Sequence, residues 1–158
     1  MKLLTLAAAL LIAAPATAAE YTKIVLEKDL AVSAETAWQK IGPYCSLSEW
    51  LKVSCETISG DKTFGDVGTV RRVAGRINEV LVGKTALSYT YTWETGKDLY
   101  HGTVEVVPKG ASASKIVYTL MYDIAPLATA EARATDRANR TKTFSGALEV
   151  MKTMAEGK

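Results

Sequence analysis

The chain has one histidine, His101, and two cysteines, Cys45 and Cys55, and that scarcity removes several chemistries at once. Two cysteines and one distant histidine are too few for a zinc site, so no metal is expected. The cysteines also lack the C-x-x-C spacing of a redox-active pair. There is no Gly-x-Ser-x-Gly elbow, and no serine has a local partner that would mark it as a nucleophile. Gly60, Gly65 and Gly68 lie between strands with no helix after them, so nothing cradles a phosphate. No cofactor is implied. Lys and Arg form no run and the formal net charge is only +2, which argues against nucleic acid as a partner. Beyond the N-terminus no apolar stretch approaches the roughly 20 residues of a membrane span.

The N-terminus carries the clearest positive signal. Lys2 supplies a basic start, Leu3 to Ala14 an apolar run, and Ala16-Thr17-Ala18 a small-residue cleavage site. Residues 1–18 read as a signal peptide cut after Ala18 or Ala19, and residues 19–158 as one domain. That places the mature protein in the periplasm or outside the cell, with no stable membrane insertion after cleavage. About 140 residues can bury a core without help from metals. In an oxidising compartment Cys45 and Cys55 are expected to form a structural disulfide. Closing a loop of about 11 residues stabilises by roughly 3 kcal/mol on a chain-entropy basis.

Hydrophobic period and turn residues divide the mature chain. Lys23 to Glu27 reads as a strand, Ser33 as an N-cap for a helix from Thr36 to Ile41, and Leu47 to Val53 as a second short helix inside the cysteine loop. Six glycine-broken strands follow, at Glu56 to Ser59, Gly68 to Ala74, Ile77 to Lys84, Ala86 to Glu94, Gly102 to Pro108 and Ser114 to Asp123. Short connections make them an antiparallel meander. Leu87, Tyr89, Tyr91 and Trp93 alternate on one face, as do Ile116, Tyr118, Leu120 and Tyr122. From Thr129 to Glu156 the period becomes helical, with Phe144, Ala147, Leu148, Met151 and Ala155 on one face. The first half of that helix offers only Ala130, Ala134 and Ala138 as an apolar edge, so it is expected to touch the rest of the protein lightly or to leave space beside it.

This order of elements resembles the START-like superfamily with its helix-grip fold, and within it the exported polyketide cyclase/dehydrase-like branch of SRPBCC proteins. The resemblance rests on Val32-Ser33-Ala34-Glu35-Thr36-Ala37-Trp38, on Ser48-Glu49-Trp50 and Cys55-Glu56, on Gly68-Thr69-Val70-Arg71, on Ile77-Asn78-Glu79-Val80-Leu81 and on Tyr89-Thr90-Tyr91. It runs from about Tyr21 to the end. It implies an α+β fold in which a curved antiparallel sheet of six or seven strands grips the long C-terminal helix over a cavity for a lipid-like or aromatic molecule. Members of this branch often carry His-Pro just after the tryptophan. Here Leu51-Lys52 follow Trp50, which removes a polar group from the mouth of the cavity.

The candidate ligand contacts are Trp50, Tyr89, Tyr91, Trp93, Tyr118, Tyr122, Phe144 and Leu148. As a set they fit plain core and cavity lining equally well. His101, at a strand start, is expected to be structural; with Glu79 it is a candidate proton carrier if the chain is an enzyme. Arg71 and Arg72 point to opposite faces, and the arrangement expected is a solvated ladder, because Arg is rarely buried. An inward Arg would need Glu79 or an acidic ligand group as its complement. The favoured function is an exported small-molecule binding protein. The alternatives are a cofactor-independent cyclase or dehydratase using the same cavity, and an interaction module with a filled core.

Overall fold

A computed structural model describes residues 18–96 and 99–157; nearly all of the expected signal peptide, residues 1–17, lies outside the described residues. The elements are β1 (Tyr21–Leu30), α1 (Ala34–Ile41), α2 (Leu47–Leu51), β2 (Cys55–Ser59), β3 (Val70–Val73), β4 (Ile77–Thr85), β5 (Ser88–Trp93), β6 (His101–Pro108), β7 (Ser114–Asp123) and α3 (Ala130–Glu156). Every expected element is present. β3 is shorter than its apolar pattern because Gly68 before it, and Ala74 and Gly75 after it, take positive φ, which ends the extended run.

The strands form one antiparallel sheet in the order β1-β7-β6-β5-β4-β3-β2. β2 to β7 are neighbours in chain order, with the 60–69 loop as the long connection between β2 and β3, and β1 returns to pair with β7 from Tyr21↔Asp123 to Leu30↔Ser114. α1 and α2 carry the chain from the β1 edge to the β2 edge. A register shift between Leu81 and Gly83 adds local twist where the sheet curls. The disulfide between Cys45 and Cys55 closes the α2 segment onto the start of β2, with the Cα atoms 5.5 Å apart.

Local chemistry ends each helix. Ser33 accepts the Thr36 amide at 3.2 Å to cap α1, and Thr129 accepts the Ala132 amide at 3.0 Å to cap α3. Lys52 and Gly157 close α2 and α3 in the left-handed conformation.

α3 divides into two halves with different attachments. In its C-terminal half Ala147, Leu148, Met151 and Ala155 are buried against α1, α2 and β1. In its N-terminal half Ala130, Ala134 and Ala138 face solvent. Polar side chains take the sheet side there: Arg133 binds the Leu127 carbonyl and Glu20, and Arg137 binds Thr22 and the Lys23 carbonyl. The outward carbonyl of Lys23 on edge strand β1 calls for a donor, and Arg137 on the helix supplies it. Replacing Leu148→Ala is expected to destabilise the protein by about 2 to 5 kcal/mol in denaturant unfolding; a change near zero would place that face of α3 outside the core.

Candidate functional site

Alternation along the strands places Arg71, Glu79, Leu81, Tyr89, Tyr91, Trp93, Tyr118 and Tyr122 on the inner face of the sheet. Register then sets neighbours: Arg71 is opposite Glu79, Glu79 opposite Trp93 and Leu81 opposite Tyr91. Tyr91 lies opposite Gly102, and its ring covers that glycine so closely that a Cβ there would sit 2.3 Å from the ring.

At the centre is an ion pair. Arg71 is 0% exposed and meets Glu79 with Nε to Oε2 at 2.8 Å and Nη2 to Oε2 at 2.7 Å. Its Nη1 also donates to the Tyr44 carbonyl. The guanidinium carbon lies 4.1 Å from the centre of the Tyr44 ring, 4.8 Å from that of Tyr91 and 5.6 Å from that of Tyr89. Glu79 also accepts the Trp93 indole N–H at 3.1 Å. The expected outer-face ladder therefore holds only for Arg72, which binds Asn78. Arg71 turns inward because a carboxylate directly across the ladder and three aromatic faces replace the water it loses.

Around this pair the aromatic side chains form a continuous layer. Tyr91 and Tyr118 share a hydrogen bond of 2.6 Å. Trp93 stacks on Tyr100 at 4.5 Å, Trp50 meets Tyr118 edge-on at 6.0 Å, and Phe144 reaches down from α3 to Tyr118 at 4.9 Å. Arg140 lies over Tyr122 at 4.1 Å and Tyr100 at 5.3 Å, held by Asp136 at 3.0 Å. Burial pushes the phenols of Tyr44, Tyr89, Tyr91, Tyr100 and Tyr118 above their ordinary value. Burial, then Asp136, takes Tyr122 up to about 12.

Among the described residues, four polar atoms are fully buried with no aligned hydrogen bond: Trp50 Nε1, Arg71 Nη2, Tyr89 Oη and Tyr122 Oη. Arg71 Nη2 is still charge-paired with Glu79, and Arg71 lowers the energy of the Tyr89 phenolate without aligning to it. All four belong to this interior.

The structure thus brings together Trp50, Tyr89, Tyr91, Trp93, Tyr118, Tyr122 and Phe144, with Leu148 further along α3, and adds Glu79 to them. It leaves His101 out. That residue lies opposite Met121 and Thr92 on the other face of the sheet from Glu79. Tyr44, Arg71, Tyr100 and Arg140 belong to the interior but were not among the sequence candidates. Tyr44 and Tyr100 sit in connections without periodicity; the one available signal was that Tyr44 adjoins the half-cystine Cys45. Among the described residues no three of His, Cys, Asp or Glu converge as metal ligands, and no helix is long and apolar enough to cross a membrane.

An antiparallel sheet curled around a long C-terminal helix, with an aromatic inner face, defines a START-like protein of the helix-grip type. Solved structures share the fold. The ZhuI aromatase/cyclase from a Streptomyces species superposes with a TM-score of 0.70 at 15% identity, over 87% of this chain and 94% of that one. A START superfamily protein from Mycobacterium smegmatis gives 0.67 at 11% identity, over 85% and 97%. Norcoclaurine synthase from Thalictrum flavum, in complex with a transition-state analogue, gives 0.61 at 18% identity, over 89% and 97%. No curated protein matches the chain. The chain belongs to the family described as polyketide cyclase/dehydrase and lipid transport, whose sequence profile matches residues 21–156.

The buried pair sets a sharp test. Glu79→Ala leaves the Arg71 cation without its counter-charge and is expected to lower stability by about 3 to 5 kcal/mol, whereas replacing both partners, Arg71→Met with Glu79→Leu, should recover most of that loss. Equal losses in the single and double variants would show that no such pair holds the interior.

The phenols set a second test. Unfolded tyrosines ionise near pH 10 and the buried ones ionise higher, so their contribution is complete below about pH 10 and is lost as pH rises toward the folded values. Six of the seven tyrosines are buried in this way, so most phenolate absorbance should appear in one step with loss of near-ultraviolet circular dichroism. Independent ionisation of most tyrosines near pH 10 in folded protein would refute the burial.

Proposed function

We propose that the chain is an exported protein, one domain after removal of residues 1–18, that works in the periplasm or outside the cell. It binds a hydrophobic, lipid-like or aromatic small molecule bearing a few polar groups, between the inner face of the sheet and α3. The observation that carries this reading is the set of buried polar atoms with no aligned partner at Trp50, Tyr89 and Tyr122. A buried polar group left unmatched costs about 1 to 3 kcal/mol, and a ligand that offers acceptors among these rings would recover that energy. The N-terminal half of α3 supplies the route, because it is tied down by polar contacts from Arg133 and Arg137 that water can replace and by Arg140 lying over the Tyr122 and Tyr100 rings. Its C-terminal half is embedded and stays in place.

The second reading is a small enzyme of cyclase or dehydratase type in the same interior. Glu79, a buried carboxylate that touches Trp93 and Arg71, favours it, since such a group beside a bound carbonyl compound can hold or move a proton. His101 does not share that space. The binding reading is preferred because Glu79 is already committed to Arg71.

Native mass spectrometry of protein purified from the periplasm or medium of its source, followed by extraction, tests both readings. A binding protein should carry a stoichiometric hydrophobic compound that is returned unchanged after incubation, on a chain that begins at Ala19 or Glu20. Conversion of the compound, abolished by Glu79→Gln, would select the enzyme. An empty protein with no thermal shift across a lipid and aromatic panel would reject both.

A further inference from the structure

Beside Tyr89, a pocket of about 300 Å³ that neither Arg71 nor Glu79 lines opens between α1, the 60–69 loop and the β4–β5 turn. Trp38, Phe64 and Tyr89 form its walls, with Gln39, Lys84 and Ser88 around them. The walls are preset. Trp38 folds back over Gly42, where a Cβ would lie 2.5 Å from the indole, and its ring meets that of Tyr89 at 5.7 Å with the planes inclined by 52°. Tyr89 is braced from behind by the edge of Tyr44 at 5.3 Å. Two fixed aromatic rings set at an angle, with half-buried Phe64 facing them, suit a flat ring better than an alkyl chain.

The polar groups narrow the choice further. Lys84 Nζ donates to the Gly65 carbonyl at 2.6 Å and to Asp66 at 3.0 Å. An ammonium has three donors, so one is left for a ligand acceptor. Asp66 already balances the charge of Lys84, so the pocket holds no net attraction for an anion. Ser88 is buried and shares a hydrogen bond of 2.7 Å with Thr85.

We propose that this pocket is a second binding site, distinct from the interior, for a neutral planar aromatic molecule of one or two rings that carries a carbonyl or hydroxyl acceptor for Lys84. Its size stands at the lower end of small-molecule sites, which start near 300 Å³. The site is built from α1 and the β4–β5 turn rather than from α3, and Tyr89 is the one ring that it shares with the interior.

The test uses the three tryptophans as reporters, because Trp38 lines this pocket whereas Trp50 and Trp93 line the interior. Full-length mature protein is titrated with 4-hydroxyacetophenone while the three indole N–H signals are followed by NMR, with 4-hydroxybenzoate and cyclohexyl methyl ketone as comparisons. The expected result is a saturable shift centred on the Trp38 signal, about tenfold weaker binding of the benzoate and no saturation with the saturated ketone, a tenfold change being about 1.4 kcal/mol. Phe64→Ala should weaken the binding by a similar factor. Ala86→Leu, at an exposed rim position, should block the pocket without touching the core, and so serves if the Phe64 variant does not fold. Shifts centred on Trp50 and Trp93 would overturn this site while supporting the interior one. No saturation with any probe, or binding unchanged in Ala86→Leu, would also overturn it.

Discussion

The Arg71–Glu79 pair is the constraint around which the interior is arranged. A charge at 0% exposure is tolerated only where every lost water is replaced, and here the replacements come from four separate places. Glu79 faces it across the β3–β4 ladder, Tyr44 brings a carbonyl and a ring from the α1–α2 connection, Tyr91 brings a ring from β5, and Trp93 binds the far oxygen of Glu79. Such a pair adds little net stability compared with apolar residues of the same size, yet it penalises every arrangement that separates its members. Its effect is therefore on register. A slip of one residue in β3 would turn Arg71 outward, away from the Tyr44 carbonyl and the rings that receive it, and would set Val70 or Arg72 across from Glu79. The Cys45–Cys55 bridge serves the same end, since it anchors the residue next to Tyr44 to the start of β2.

The rest of the interior follows from accommodating tyrosines beside that pair. A phenol buried among rings needs a partner for its hydroxyl. Tyr91 and Tyr118 solve this by bonding to each other, while Tyr89 and Tyr122 have no aligned partner and instead have the charges of Arg71 and Asp136 beside them. A core meant only for stability would favour phenylalanine at these positions, but the chain has two phenylalanines and seven tyrosines. That preference, together with the polar seating of the first half of α3, is why a ligand-binding reading explains the interior better than a filled module does. The fold itself does not decide between binding and catalysis, and the solved structures that share it include an aromatase/cyclase and norcoclaurine synthase.

Most of the element order could be read from the sequence because the signals were local. Ser33 before Thr36, the alternation from Leu87 to Trp93 and from Ile116 to Tyr122, and the Ala74-Gly75 turn each depend on a few neighbouring residues. The inner-face aromatics Tyr89, Tyr91, Trp93, Tyr118 and Tyr122 came from the same alternation. Arg71 was misread because burial of a cation depends on what stands across the ladder, which alternation within one strand does not contain. Tyr44 and Tyr100 were missed because connections have no period. Ala130, Ala134 and Ala138 marked the first half of α3 as lightly seated, and it is, but by arginines rather than by an alanine edge.

The sequence alone determined the kinds of structure present: the order of strands and helices, which face of the aromatic strands turns inward, that the two cysteines close a short loop, and that the chain resembles the START-like branch, in keeping with its profile match. These follow from interactions spanning a few residues, or from patterns repeated along one element. The tertiary structure alone decided which of those faces meet. It brought Arg71, Tyr44 and Glu79 to one point, sent His101 to the opposite side of the sheet, and set Trp38, Phe64 and Lys84 around a pocket beside Tyr89. Register across seven strands and the seating of α3 select such meetings, and both are set by the balance of buried charge, ring packing and edge hydrogen bonds over the whole chain.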